Sequence, residues 1–86
     1  AMNMTTEQKG RRAKEILEDD VFLSVVDETK SDILMRWNLT DFSEINTRES
    51  LYHQWRALDE VLRGLRTLVD DLVLEQSRNK TKQGLK

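Results

Sequence analysis

The chain has 86 residues, enough for one domain, and so short a chain withdraws only about 60% of its unfolded surface from water on folding. It contains no cysteine and no proline, 35% of its residues are charged, and the formal net charge is −2. These totals exclude a disulfide framework and a thiolate metal site. No apolar run approaches the roughly 20 residues that a membrane helix needs. Plentiful Leu, Glu, Arg, Lys, Ala and Gln favour helices over sheet, so the expected class is all-α. A core this small needs tight helix packing or self-association to hold.

Residues 1–4 read as a tag remnant ahead of a native start at Met2 or Met4, and the polar stretch through Lys14 lacks a signal-peptide pattern. A first helix is expected over 7–18, with Ala13, Ile16 and Leu17 on one face. Extending that face predicts apolar residues near 20 and 24, where the chain has Asp20 and Ser24. A new stripe begins instead with Phe22, Val25, Val26, Ile33, Leu34 and Trp37. The phase slips at Glu18-Asp19-Asp20, and Asp20 is a good N-cap for a helix from Val21. A second helix is therefore expected over 21–37, with a kinked continuous helix as the alternative.

The stretch from Asn38 to Ile45 carries turn and capping residues and no sustained period, so it reads as the main turn. Its Leu39, Phe42 and Ile45 are expected to fold back over the end of the helix pair. A third helix is expected over 47–77. Its seam is Leu51, Trp55, Leu58, Leu62, Leu65, Val69 and Leu72, spaced 4, 3, 4, 3, 4, 3. Tyr52, Val61, Leu68 and Val73 widen that stripe, and Asn46 with Glu49 resembles a capping box at its start. Gly64 falls inside this helix, off the seam. It is either a tolerated surface glycine or a point where another backbone, such as a partner helix, approaches closely. Residues 78–86 are expected to form a flexible basic tail, leaving one domain over 5–77.

Residues 7–37 and 47–77 would each span about 46 Å as helix at about 1.5 Å per residue. Two equal arms and a short turn predict an antiparallel helical hairpin with a broken first arm. Two arms cannot cover two wide apolar stripes, so a homo-oligomeric bundle of hairpins is expected. A three-helix monomer is the alternative if the first helix folds back.

Charge is unevenly laid out. Residues 1–14 carry net +3, residues 15–47 net −7, residues 48–77 net −2, and residues 78–86 net +4. A hairpin brings both basic segments to one end. Lys9, Arg11, Arg12, Lys14, Arg78, Lys80 and Lys82 are thus candidates for contact with nucleic acid or another anion. The same residues also serve to keep a helix end soluble and to answer its dipole.

Chemistry-bearing patterns are missing. His53 is the lone histidine, with no nucleophile, second histidine or cysteine at ligand spacing. Neighbours such as Asp19-Asp20 and Asp70-Asp71 point about 100° apart on a helix and form no dyad. Asp71 and Glu75 share a face, but no second helix supplies a matching metal-binding motif. No phosphate loop, nucleophile elbow or zinc spacing occurs. The expectation is no enzyme, no cofactor, no metal and no small-molecule substrate. Trp55 on the seam reads as core, while Trp37 and Phe42 near the turn are candidate partner anchors.

The stretch from Gly10-Arg11-Arg12-Ala13 through Glu18-Asp19-Asp20-Val21-Phe22 follows the pattern G-x-R-A-x-x-L-L-E-D-x-x-F in outline. A tryptophan follows about fifteen residues later (Trp37), then an Arg-Glu pair (Arg48-Glu49) and an Ala-Leu-Asp stretch (Ala57-Leu58-Asp59). Over about residues 10–75 the chain resembles short helical proteins encoded among the head and packaging genes of tailed phages. Where that group often has proline after the Glu-Asp pair, this chain has Asp20-Val21. The group has no established biochemical activity, so the resemblance implies a phage or prophage origin and a location in host cytoplasm or virion. The functional expectation is a non-catalytic assembly or interaction protein. The alternatives are a nucleic-acid-associated packaging or regulatory protein using the basic ends, and a small inhibitor of a host protein.

Overall fold

The computed structural model describes residues 4–84, with side chains described through residue 79. Helix α1 spans Thr6–Glu18, α2 Asp20–Asn38 and α3 Ile45–Gly84. The described residues contain no strand, so the all-α class holds.

Each boundary has a local cause. The α1 start is a capping box: the Gln8 N–H donates to Thr5 Oγ1 at 3.1 Å, and the Thr5 N–H donates to Gln8 Oε1 at 2.9 Å. Asp19 breaks the first arm, with extended backbone at φ −73 and ψ 123. Its own N–H closes α1 on the Ile16 carbonyl at 3.2 Å, and its Oδ1 opens α2 by accepting from the Phe22 N–H at 2.8 Å. The cap of α2 is therefore Asp19 rather than Asp20, and Asp20 supplies negative charge in the first turn, where the helix dipole favours it.

At the other end of the turn, the Glu44 N–H donates to the Asp41 carbonyl at 2.9 Å, and the Arg48 N–H to the Glu44 carbonyl at 3.0 Å. Helix α3 thus begins at Ile45, and Asn46 lies inside its first turn rather than at a capping position. It also continues past residue 77 to Gly84, because no glycine or proline intervenes after Gly64.

Inter-helix contacts run in descending order along α3. Asn79 Nδ2 donates to Glu7 Oε1 at 3.4 Å, Gly10 abuts Leu72, Lys30 meets Asp59 at 3.1 Å, and Arg36 donates to Gln54 at 3.3 Å. Helices α1 and α2 therefore lie end to end, both antiparallel to α3, and α1 does not fold back. The result is a rod of 66 × 27 × 24 Å. Its radius of gyration is 18.6 Å, against about 12 Å for a compact chain of this length.

The arms taper. The inner face of α1 offers Gly10 and Ala13, the two buried residues of that helix. With no side chain at Gly10, the α1 backbone comes directly against Leu68 and Leu72 of α3. A Cβ added at Gly10 would overlap the Leu72 side chain and sit 2.9 Å from the Leu68 carbonyl oxygen. The inner face of α2 carries Phe22, Val26, Lys30, Ile33 and Trp37, which hold it farther off, since side-chain size sets interaxial distance. Gly64, in contrast, has no atom within 4 Å of an added Cβ apart from its own helix backbone and chain neighbours, so no other described residue approaches it.

The core is one narrow file: Ala13, Val26 and Ile33 against Leu51, Leu62 and Leu72. Trp55, Leu58, Leu65 and Val69 are half-buried, so all seven seam residues turn inward. The wider stripes do not. Val25 and Leu34 on α2 are exposed, and so are Tyr52, Val61 and Val73 on α3; only Leu68 of the flanking set is half-buried. The reason is geometric: at about 100° per residue, positions beside the file point past the neighbouring helix. Replacing Gly10 with alanine forces α1 away from Leu68 and Leu72. Overpacking of this kind costs about 1–3 kcal/mol, so thermal unfolding of Gly10→Ala should show a melting temperature at least about 5 °C lower.

Candidate interaction surfaces

The turn end is held by one basic side chain. Arg48, in the first turn of α3, donates from Nε to Thr40 Oγ1 at 2.8 Å and from Nη2 to the Thr40 carbonyl at 3.3 Å. The Thr40 hydroxyl donates onward to the Trp37 carbonyl at 2.6 Å, one of the last carbonyls of α2. The Arg48 guanidinium also lies 5.0 Å from the centroid of the Trp37 ring. Arg48 thereby closes α2 onto α3 with hydrogen bonds and a ring face.

Because the turn is fixed by polar contacts, its apolar residues are not needed inside. Leu39, Phe42 and Ile45 are 79%, 81% and 62% exposed. They do not fold back over the helix pair. Phe42 remains available as an anchor, whereas Trp37 is half-buried beneath Arg48.

Midway along the rod, Lys30 occupies a place on the inner face of α2 where the file calls for an apolar residue. Its Nζ lies 3.1 Å from Asp59 Oδ1 and 4.9 Å from the Trp55 ring centroid. The two side chains are only 28% and 36% exposed, so this pair is less screened than the other ion pairs on the rod. Sequence periodicity passed over Lys30 because charge conceals it; its spacing from Val26, Ile33 and Trp37 was the available signal.

The basic residues do share one end, because Glu7 meets Asn79. They do not form one surface. Lys9, Arg11, Arg12 and Lys14 are exposed, but steps of two, one and two residues scatter them around α1. Arg11 pairs with Glu7 at 3.4 Å, Arg12 with Glu15 at 3.7 Å, and Arg78 with Glu75 at 4.0 Å. The side chains of Lys80 and Lys82 lie outside the described residues. His53 is exposed on α3, with its ring 5.8 Å from that of Tyr52.

Among the described residues, no group of three His, Asp or Glu side chains is placed to hold a metal ion, no charged or polar residue is buried, and no helix is long and apolar enough to cross a membrane. No family model, curated protein or solved structure matches the chain. The described residues present three open surfaces: an apolar turn end, exposed flanks on both arms, and a scattered basic end.

Two substitutions separate the clamp from the exposed tip. Arg48→Ala removes hydrogen bonds to a part-buried hydroxyl and should lower stability by about 1–2 kcal/mol, read as a lower urea midpoint at constant slope. Phe42→Ser touches nothing inside and should leave that midpoint within about 0.5 kcal/mol of the parent.

Proposed function

We propose that this chain is a non-catalytic helical assembly protein of phage type that works through helix–helix contacts, with a second copy of itself as its first partner. The observation that carries this reading is surface area. The chain exposes 7053 Å², whereas a compact monomer of its 10.1 kDa mass exposes about 5,300 Å². The excess of about a third includes large apolar side chains on both arms and at the turn, among them Val25, Leu34, Val61 and Phe42. A stable interface takes about 800 Å² from each partner, which this excess readily supplies.

The phage-type assignment rests on the resemblance of Gly10 to Phe22 and of the later Trp37, Arg48-Glu49 and Ala57-Leu58-Asp59. The non-catalytic assignment rests on the sequence, which offers no nucleophile–base pair and no ligand set. Light scattering coupled to size exclusion tests the assembly reading. The expected mass at high micromolar concentration is at least twice 10.1 kDa. A species that stays at the monomer mass across the whole concentration range overturns it.

A further inference from the structure

Helix α3 carries a second lane, separate from its buried seam. Ser50, Gln54, Ala57, Val61, Gly64 and Leu68 follow at steps of 4, 3, 4, 3 and 4, so they line one face for about 27 Å. None of them is charged, although Arg56, Asp59, Glu60, Arg63 and Arg66 are interspersed along the same stretch. The first five are exposed and Leu68 is half-buried. Beside the lane runs an open groove of about 560 Å³, between the end of α2 and the start of α3, with Arg36 and Leu39 on one wall and Ser50 and Gln54 on the other.

Gly64 lies in this lane. A glycine inside a helix costs about 1 kcal/mol against alanine, and here no described residue packs into the space of the missing side chain. Gly10 shows what such a gap does in this protein: it lets a helix backbone come against α3.

We propose that the lane is the interface with a second copy of this chain, the two α3 helices crossing antiparallel about a two-fold axis at Ala57. This rests on the assembly reading above and specifies its contact. Three properties select a second copy as the occupant. The lane is self-complementary under that axis: Ala57 meets Ala57 of the second copy, Gln54 meets Val61, and Ser50 meets Gly64. Small residues thus face small or medium ones from Ser50 to Gly64. On the rim, His53 of each copy comes opposite Glu60 of the other, which sets a carboxylate against an imidazole rather than against a like charge. The rod, of which the lane is one face, exposes about a third more surface than a compact monomer of its mass, an excess larger than the ~800 Å² per partner that a stable dimer covers. The arrangement is isologous and therefore closes as a dimer of hairpins.

Helix axes about 8–10 Å apart, with Cα atoms about 2.3 Å from each axis, put facing Cα atoms about 3.5–5.5 Å apart at the crossing, a range that overlaps disulfide geometry. The chain has no cysteine of its own, so single cysteines report cleanly. Under mild oxidation Ala57→Cys should yield a covalent dimer, and Arg56→Cys, turned about 100° away, should not. Gly64→Arg has room in the single chain, so its helical circular dichroism should match the parent while its dimer dissociation constant rises by at least about tenfold. If the parent self-associates but Ala57→Cys does not cross-link, or Arg56→Cys links equally well, the lane is not the interface and the assembly reading stands alone. A folded Gly64→Arg protein that self-associates like the parent overturns the lane in the same way. A parent that remains monomeric overturns both.

Discussion

Two helices cover only the strip of each that faces the other. In this protein that strip is one file of residues wide, and most of the remaining structure follows from it. Helix α3 turns Leu51 through Leu72 inward, and the first arm answers with Ala13, Val26 and Ile33. Most positions one step to either side point past the neighbouring helix, Leu68 and Asp59 being half-buried exceptions. Apolar residues there, such as Val25, Leu34, Val61 and Val73, stay in contact with water. The chain is therefore a rod with a thin core and generous surface, not a compact domain with a few spare hydrophobics.

Within that file, side-chain size sets the local distance between arms. Gly10 and Ala13 draw α1 onto Leu68 and Leu72, while Lys30, Ile33 and Trp37 hold α2 away. The break at Asp19 resets the helical phase: Ala13 and Val26 would lie about 220° apart on one continuous helix, yet both face α3. Asp19 satisfies both helix ends at once, closing α1 with its backbone and opening α2 with its side chain. Polar devices then hold the wider half together: Lys30 with Asp59 and Trp55, and Arg48 with Thr40 and Trp37.

The assembly reading and the crossing at Ala57 draw on the same constraint. A surface left open by narrow pairing is covered by another helix or remains in water. On α3 one such surface is free of charge for about 27 Å and has glycine where the chain itself has no use for one. The apolar turn with Phe42 is a second open surface, at the far end of the rod from the basic segments.

Much of this was legible in the sequence. Three helices, the break beside Asp19-Asp20, the turn after Asn38 and the inward seam of α3 follow from spacing and capping, because those are local properties of the backbone. The start of α1 was equally legible in Thr5-x-x-Gln8, one residue earlier than the apolar period indicated. Only the tertiary structure decided which glycine packs within the chain. Spacing singles out Gly64, but Gly10 is the one that meets another helix, since that depends on which turn of α1 lies over Leu68 and Leu72. The fate of Leu39, Phe42 and Ile45 was likewise not local. Composition marks them as apolar, yet only the placement of Arg48 over Thr40 and Trp37 shows that the turn is held without them.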